Sequence, residues 1–303
     1  MKSSLLSSGA VLVSLRLALA HGGIFNYTIG DVSYAGYYPW YLEDDQPESI
    51  QRAWWPDPMQ AVDHPWLACN RGNPLATRNP TLHAPIEAGA NITANYFAPL
   101  CPRDLHQPNE SSTPWTDEPV PMMCFSSAGD PWPRTYNYPW PHSLGPMLVY
   151  MAPCNGPCED FDPTGDDNVW FKVSEGGWHP DPVGNYEKPH IGVGDAWDQP
   201  HWTTNGNVWS TKIPKNLKPG NYLIRHEIIM LEIMPPQHYP ECAQLTVSGE
   251  GDELPGEEYL VSFPGAYSMD EPGLAIAGDF YSPKARETFN YTIPGPKVWT
   301  GDG

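Results

Sequence analysis

Positive charge is scarce in this 303-residue chain: 16 Lys and Arg stand against 36 Asp and Glu, for a formal charge of −20. Nucleic-acid binding needs basic surface to displace counterions from phosphate, so that class of partner is excluded, and anionic membrane surfaces with it. Charged residues of both signs amount to only 17%, too few for a typical disordered tail, while 13 Trp and 16 Tyr supply large apolar bodies for a core. Beyond the first twenty residues no stretch approaches the run of about 18 apolar residues that a membrane span requires. Amphipathic helical periodicity is missing too, in keeping with 37 prolines, which interrupt helix interiors and central strands alike. Several catalytic signatures are also lacking. There is no HExxH helix, no His-x-His pair and no Gly-x-Ser-x-Gly elbow, which removes the common zinc, iron and serine-hydrolase motifs.

Met1–Ala20 reads as a secretory signal peptide. Lys2 gives the positive start, an apolar run follows from Leu5, and Ala18-Leu19-Ala20 fits a small-x-small cleavage site. Cleavage there removes Lys2 and Arg16 and leaves His21 as the first residue of a secreted, extracellular chain that is more acidic still. An N-terminal histidine offers an α-amine and a ring nitrogen on one residue. Six cysteines (Cys69, Cys101, Cys124, Cys154, Cys158, Cys242) and sequons at Asn26, Asn91, Asn109 and Asn290 suit an oxidising, glycosylating compartment. An even count suggests three bridges, for which six cysteines allow fifteen pairings.

Strand signals are clear in a few places. Met147–Met151 follows a Gly-Pro breaker. Asn221–Leu231 alternates Tyr222, Ile224, His226 and Ile228 with Leu223, Arg225, Glu227 and Ile229. Ala243–Val247 and Glu258–Phe263 are shorter candidates. The expected fold class is all-β: an immunoglobulin-like or fibronectin-like sandwich of two antiparallel sheets joined by long loops. His226, in mid-strand, reads as a structural histidine whose ring is satisfied by its neighbours. Residues 97–141 hold ten prolines with Cys101 and Cys124 and read as a loop insertion carrying its own bridge. One domain over 21–303 is expected, with no carbohydrate-binding module.

In Gln237-His238-Tyr239-Pro240-Glu241-Cys242, positions 237 and 239 point to the same side of an extended backbone, which sets an amide beside a phenol. At this segment the chain resembles the auxiliary-activity family 9 lytic polysaccharide monooxygenases, formerly glycoside hydrolase family 61. The resemblance is carried by His21, by Cys69 in Ala68–Gly72, by His142 ahead of Gly145-Pro146, and by Cys154 with Cys158. It continues through Pro219–Glu227, Gln237–Cys242, Phe263–Tyr267 and the ending Tyr291–Pro296.

That resemblance implies a secreted monomeric oxidoreductase that cleaves cellulose or a related β-1,4-glucan at C1 or C4, using a small-molecule or protein electron donor and O2 or H2O2. It implies one copper per chain in a histidine brace, held by the amine and ring of His21 and by His142, with Tyr239 as axial ligand. Gln237 would donate to the oxidant, and Tyr37, Tyr38 and Tyr267 would stack on sugar rings from a flat face. The implied bridges are Cys69–Cys242 and Cys154–Cys158, which leaves Cys101 with Cys124. Two departures stand out. His142-Ser143-Leu144-Gly145-Pro146 is one residue longer than the family's His-x-Gly-Pro, and Glu232 occupies the position of a family histidine expected on the oxygen-binding side. A carboxylate there can accept a proton or a hydrogen bond but cannot donate as a neutral imidazole does. The alternative to an enzyme is a non-catalytic copper- or glycan-binding protein on the same fold.

Overall fold

A computed structural model describes residues 22–38, 43–55, 58–70, 78–96, 140, 142, 144–178, 197–199, 206–275 and 291–301. His21, Cys101, Cys124, Asn109, Asn290, the signal segment 1–20 and nearly all of the 97–141 insertion lie outside the described residues. Ten strands are present among those described: β1 (Asn26–Ile29), β2 (Val32–Ala35), β3 (Ala84–Glu87), β4 (Asn91–Asn95), β5 (Met147–Pro153), β6 (Trp170–Gly176), β7 (Val208–Lys212), β8 (Gly220–Met230), β9 (Gln237–Ser248) and β10 (Leu260–Val261). They form a four-stranded sheet in the order β2-β1-β4-β7 and a six-stranded sheet in the order β10-β6-β5-β8-β9-β3.

The expected all-β sandwich is therefore present, with one difference. β3 pairs with β9 in parallel, Ala84 opposite Leu245 through Glu87 opposite Ser248. The chain between them is long enough for a crossover, so no hairpin imposes an antiparallel arrangement. The candidate strand Glu258–Phe263 is mostly another structure. Glu257–Tyr259 is a 3-10 turn and only Leu260–Val261 pairs, because Pro255-Gly256 opens the segment with a turn and Phe263 swings into the core.

Two apolar layers flank the six-stranded sheet. Between the sheets, Tyr27, Ile92 and Ala94 meet Met147, Val149, Met151, Ile224, Ile228, Tyr239, Ala243, Leu245 and Val247. On the outer face, loops carrying Leu67, Trp197, Phe263, Tyr267 and Leu274 cover Leu148, Tyr150, Ala152, Leu223, Ile229 and Cys242. β8 and β9 are thus buried on both faces, so each side of the alternating pattern has its own core to fill.

The odd side of β8 carries charge into the outer core. Arg225 Nη1 donates to Glu227 Oε2 at 2.7 Å, His238 Nδ1 lies 2.9 Å from Glu227 Oε1, and Tyr267 Oη donates to Glu227 Oε2 at 2.6 Å. Burial alone would raise the Glu227 carboxyl, but Arg225 and His238 bring it down to about 2. The even side carries His226 into the sandwich interior. Neither of its ring nitrogens has a hydrogen-bond partner among the described residues, so it is structural but not satisfied, and burial lowers its pKa to about 3.

Disulfides join Cys69 to Cys242 and Cys154 to Cys158, as the resemblance implies. Among the sequons, Asn91 is exposed at the start of β4, whereas Asn26 is half-buried in β1 with its Nδ2 on Ser33 Oγ.

Candidate metal centre

The alternation expected at Gln237-x-Tyr239 holds: both side chains leave β9 toward the sandwich interior and both are buried. Tyr239 Oη donates to Gln237 Oε1 at 2.8 Å and lies 3.0 Å from His142 Nε2. His142 stands in the segment leading into β5, whose last turn is pinned to the end of β8 by Leu231 N–H donating to the Leu144 carbonyl at 2.9 Å. Gly145 takes φ +134°, and a Cβ there would collide with the Ile229 carbonyl, so glycine is required where the longer His142 loop meets the sheet.

Glu232 sits on the other side of the histidine ring. Its Oε2 is 3.8 Å from His142 Nδ1, and its Oε1 accepts from the Leu144 N–H at 3.4 Å. These contacts put the carboxylate beside the Nδ1 edge of the His142 ring. The carboxylate faces the back of the His142 ring, where it can orient the imidazole.

Trp140, which nothing in the sequence pattern singled out, is central to the site. Its ring meets Tyr239 edge-on at 5.1 Å, His142 at 5.4 Å and Tyr96 at 5.8 Å. Its Nε1 donates to Gln199 Oε1 at 3.1 Å, and Gln199 Nε2 donates in turn to the carbonyls of Gly145 and Ile229. A Cβ built on Gly22 would lie 3.5 Å from the same indole. The residue that follows His21 therefore packs on the ring that contacts both His142 and Tyr239.

Of the three tyrosines expected on a flat surface, two are elsewhere. Tyr267 is buried in the outer core, its hydroxyl committed to Glu227 and Tyr150. Tyr37 is buried as well, with its N–H on Gln51 Oε1. The Tyr267 ring completes the outer core, and the Tyr37 ring is buried close to the surface, so neither ring lies open on a flat face. Tyr38 is half-buried beside Phe25. The turn between Glu232 and Gln237 exposes two apolar side chains that the sequence reading missed, Ile233 at 47% and Met234 at 44%.

The donor set suits copper: an imidazole nitrogen and a phenol oxygen converge, and N/O donors are where copper outranks other divalent first-row ions. Among the described residues no group of three His, Cys, Asp or Glu could hold a metal by itself.

Residues 21–291 match the family described as AA9, Auxiliary Activity family 9 (formerly GH61). The chain belongs to that family. AA9 lytic polysaccharide monooxygenase B of Heterobasidion irregulare is 33% identical over 297 residues, spanning 96% of this chain and 97% of that one. The crystal structure of HiLPMO9B, 31% identical, aligns with a TM-score of 0.66 over 93% of this chain and 100% of its own. A cellulose-active polysaccharide monooxygenase from M. thermophila, 30% identical, aligns with a TM-score of 0.61 over 92% and 99%. This AA9 chain shares their immunoglobulin-like β-sandwich. Its family consists of copper-dependent oxidoreductases that cleave polysaccharides oxidatively with an external reductant. No helix among its described residues is long and apolar enough to cross a membrane.

Proposed function

We propose that this AA9 chain is itself a copper-dependent monooxygenase, secreted after loss of residues 1–20, that cleaves β-1,4-linked glucan at C1 or C4. One observation carries the reading: Gly22 packs on Trp140, and Trp140 contacts both His142 and Tyr239. A free amine and imidazole at His21, one peptide bond away, would join His142 Nε2 and Tyr239 Oη in holding one copper. Bound copper supplies the one-electron chemistry by which O2 or H2O2 hydroxylates a carbon of the scissile glycosidic bond, which then breaks by elimination.

The chain's own residues do the rest. Glu232 and Trp140 fix the His142 ring from behind and from its edge. Gln237 Oε1 accepts the hydrogen bond from the Tyr239 hydroxyl, which holds the phenol in place and leaves the amide N–H2 as the donating end. Tyr38, Ile233 and Met234 offer partly exposed apolar surface to a sugar face. Glu232, at the sequence position of a family histidine, favours a second reading, a copper- or glycan-binding protein without turnover, because a carboxylate cannot donate as a neutral imidazole does.

Incubation with cellulose, ascorbate and copper separates the two. Oxidised oligosaccharides by mass spectrometry, lost on chelation, are expected. Copper binding at unit stoichiometry with no products would overturn the catalytic reading.

A further inference from the structure

A buried carboxylate two residues beyond Tyr239 has no place in the machinery described so far. Glu241 leaves β9 on the same side as Gln237 and Tyr239, is 1% exposed, and has no cation against it among the described residues. Its Oε2 accepts two hydrogen bonds, from the backbone N–H of Ile24 at 2.7 Å and from Gln51 Nε2 at 2.7 Å. Gln51 Oε1 in turn accepts from the Tyr37 N–H at 2.7 Å. Both limbs of the β1–β2 hairpin are thereby tied to β9 through one carboxylate, across 217 residues of sequence on the Ile24 side.

The space around it is shaped to receive the N-terminal arm. A Cβ on Gly23 would collide with Glu241 Oε1 and approach the Trp54 ring to 2.6 Å, so only glycine lets the backbone lie down there. Trp54 is 1% exposed, donates from Nε1 to the Tyr37 carbonyl at 3.0 Å and meets Phe25 edge-on at 5.3 Å. Gly22 then passes over Trp140. Ile24 is the last residue of this arm with a side-chain anchor on β9, and His21 is three residues upstream.

We propose that Glu241 is a positioning residue: its carboxylate grips the Ile24 N–H and, with Gly23 seated beside it, fixes the arm that presents His21 to His142 and Tyr239. The inference rests on the reading of His21 as a copper ligand. Three residues of extended chain can sweep a radius of about 10 Å. An arm fixed at Ile24 holds its donor near the other two, so that metal binding need not order it. A desolvated carboxylate that met only a structural need could be replaced by apolar packing. One that fixes the arm must keep an acceptor oxygen at the Oε2 position.

That distinction sets the experiment. Glu241→Gln keeps an oxygen for both donors; Glu241→Leu removes it; Gly23→Ala leaves Glu241 in place and disturbs only the seat. Each variant, the wild type and His21→Ala are prepared with the native N-terminus. Hydrogen exchange of the Ile24 amide is followed in copper-free protein, and copper affinity and spin spectrum are measured by titration with Cu(II) alone.

Glu241→Leu and Gly23→Ala are expected to speed Ile24 exchange at least 10-fold, weaken copper about 10–100-fold and alter the spectrum, while Glu241→Gln follows the wild type. Unchanged affinity and exchange in Glu241→Leu, with His21→Ala impaired, overturns the clamp. Unchanged affinity in both Glu241→Leu and His21→Ala overturns the ligand reading on which the clamp depends. Should Glu241→Leu fail to fold, Gly23→Ala against Glu241→Gln decides the matter.

Discussion

His226 and Tyr267 show how far a residue's role depends on what is packed against it. The unfolded chain binds a proton at His226 with an ordinary pKa near 6.5, whereas the folded chain resists protonation down to about 3. The stability this neutral ring allows is fully present above about pH 6.5 and is lost as pH falls, at up to about 1.4 kcal/mol per unit from this one group. Chemical denaturation at a series of pH values should show His226→Leu with a shallower decline between pH 6.5 and 4 than the wild type. An equally steep decline would mean that the ring is not kept neutral. Tyr267→Phe should cost about 1.5–3 kcal/mol, because its hydroxyl bonds a buried carboxylate. Binding to cellulose should be unchanged by that substitution, in contrast to a sugar-stacking residue.

At the scale of elements, the two bridges differ in the loops they close. Cys69–Cys242 spans 173 residues and Cys154–Cys158 only 4. In the chain-entropy model the first contributes about 5 kcal/mol and the second about 2. Paired Cys→Ala variants compared by urea unfolding should preserve that order; a larger loss from the short bridge would mean that strain in the long bridge offsets its entropic gain. The strands legible in the sequence include two long ones, whereas β6, as long as β5, was not picked out. Asn221–Leu231 declares itself by alternation, and Met147–Met151 by an unbroken apolar run after Gly145-Pro146. β1, β2, β4 and β7 were not legible. They are four or five residues long, mix Asn, Thr, Ser and Lys with few apolar positions, and gain strand structure from pairing with distant partners. Glu258–Phe263 carried a local strand signal, but Tyr259 N–H closes on the Gly256 carbonyl to make a turn.

In the whole molecule, the part of the site confined to one strand could be read from spacing, and the part assembled across loops could not. Gln237 and Tyr239 share a face because the strand period is two. Trp140 and the turn at Ile233 and Met234 emerged only when separate segments met. The burial of Tyr37 and Tyr267 was not legible, because burial of a tyrosine is decided by tertiary packing, of which its neighbours in sequence carry little trace. β9 unites these levels: its odd positions send Gln237, Tyr239 and Glu241 inward, while its even positions send His238 and Cys242 to the outer core. Loss of His238, with the start of the strand held in register, would move every later side chain to the opposite face, turning the phenol away from His142 and Cys242 away from Cys69. In a deletion scan, then, Gln237–Ser248 should behave as one indivisible word: no shortening within it yields a protein that is folded yet merely inactive.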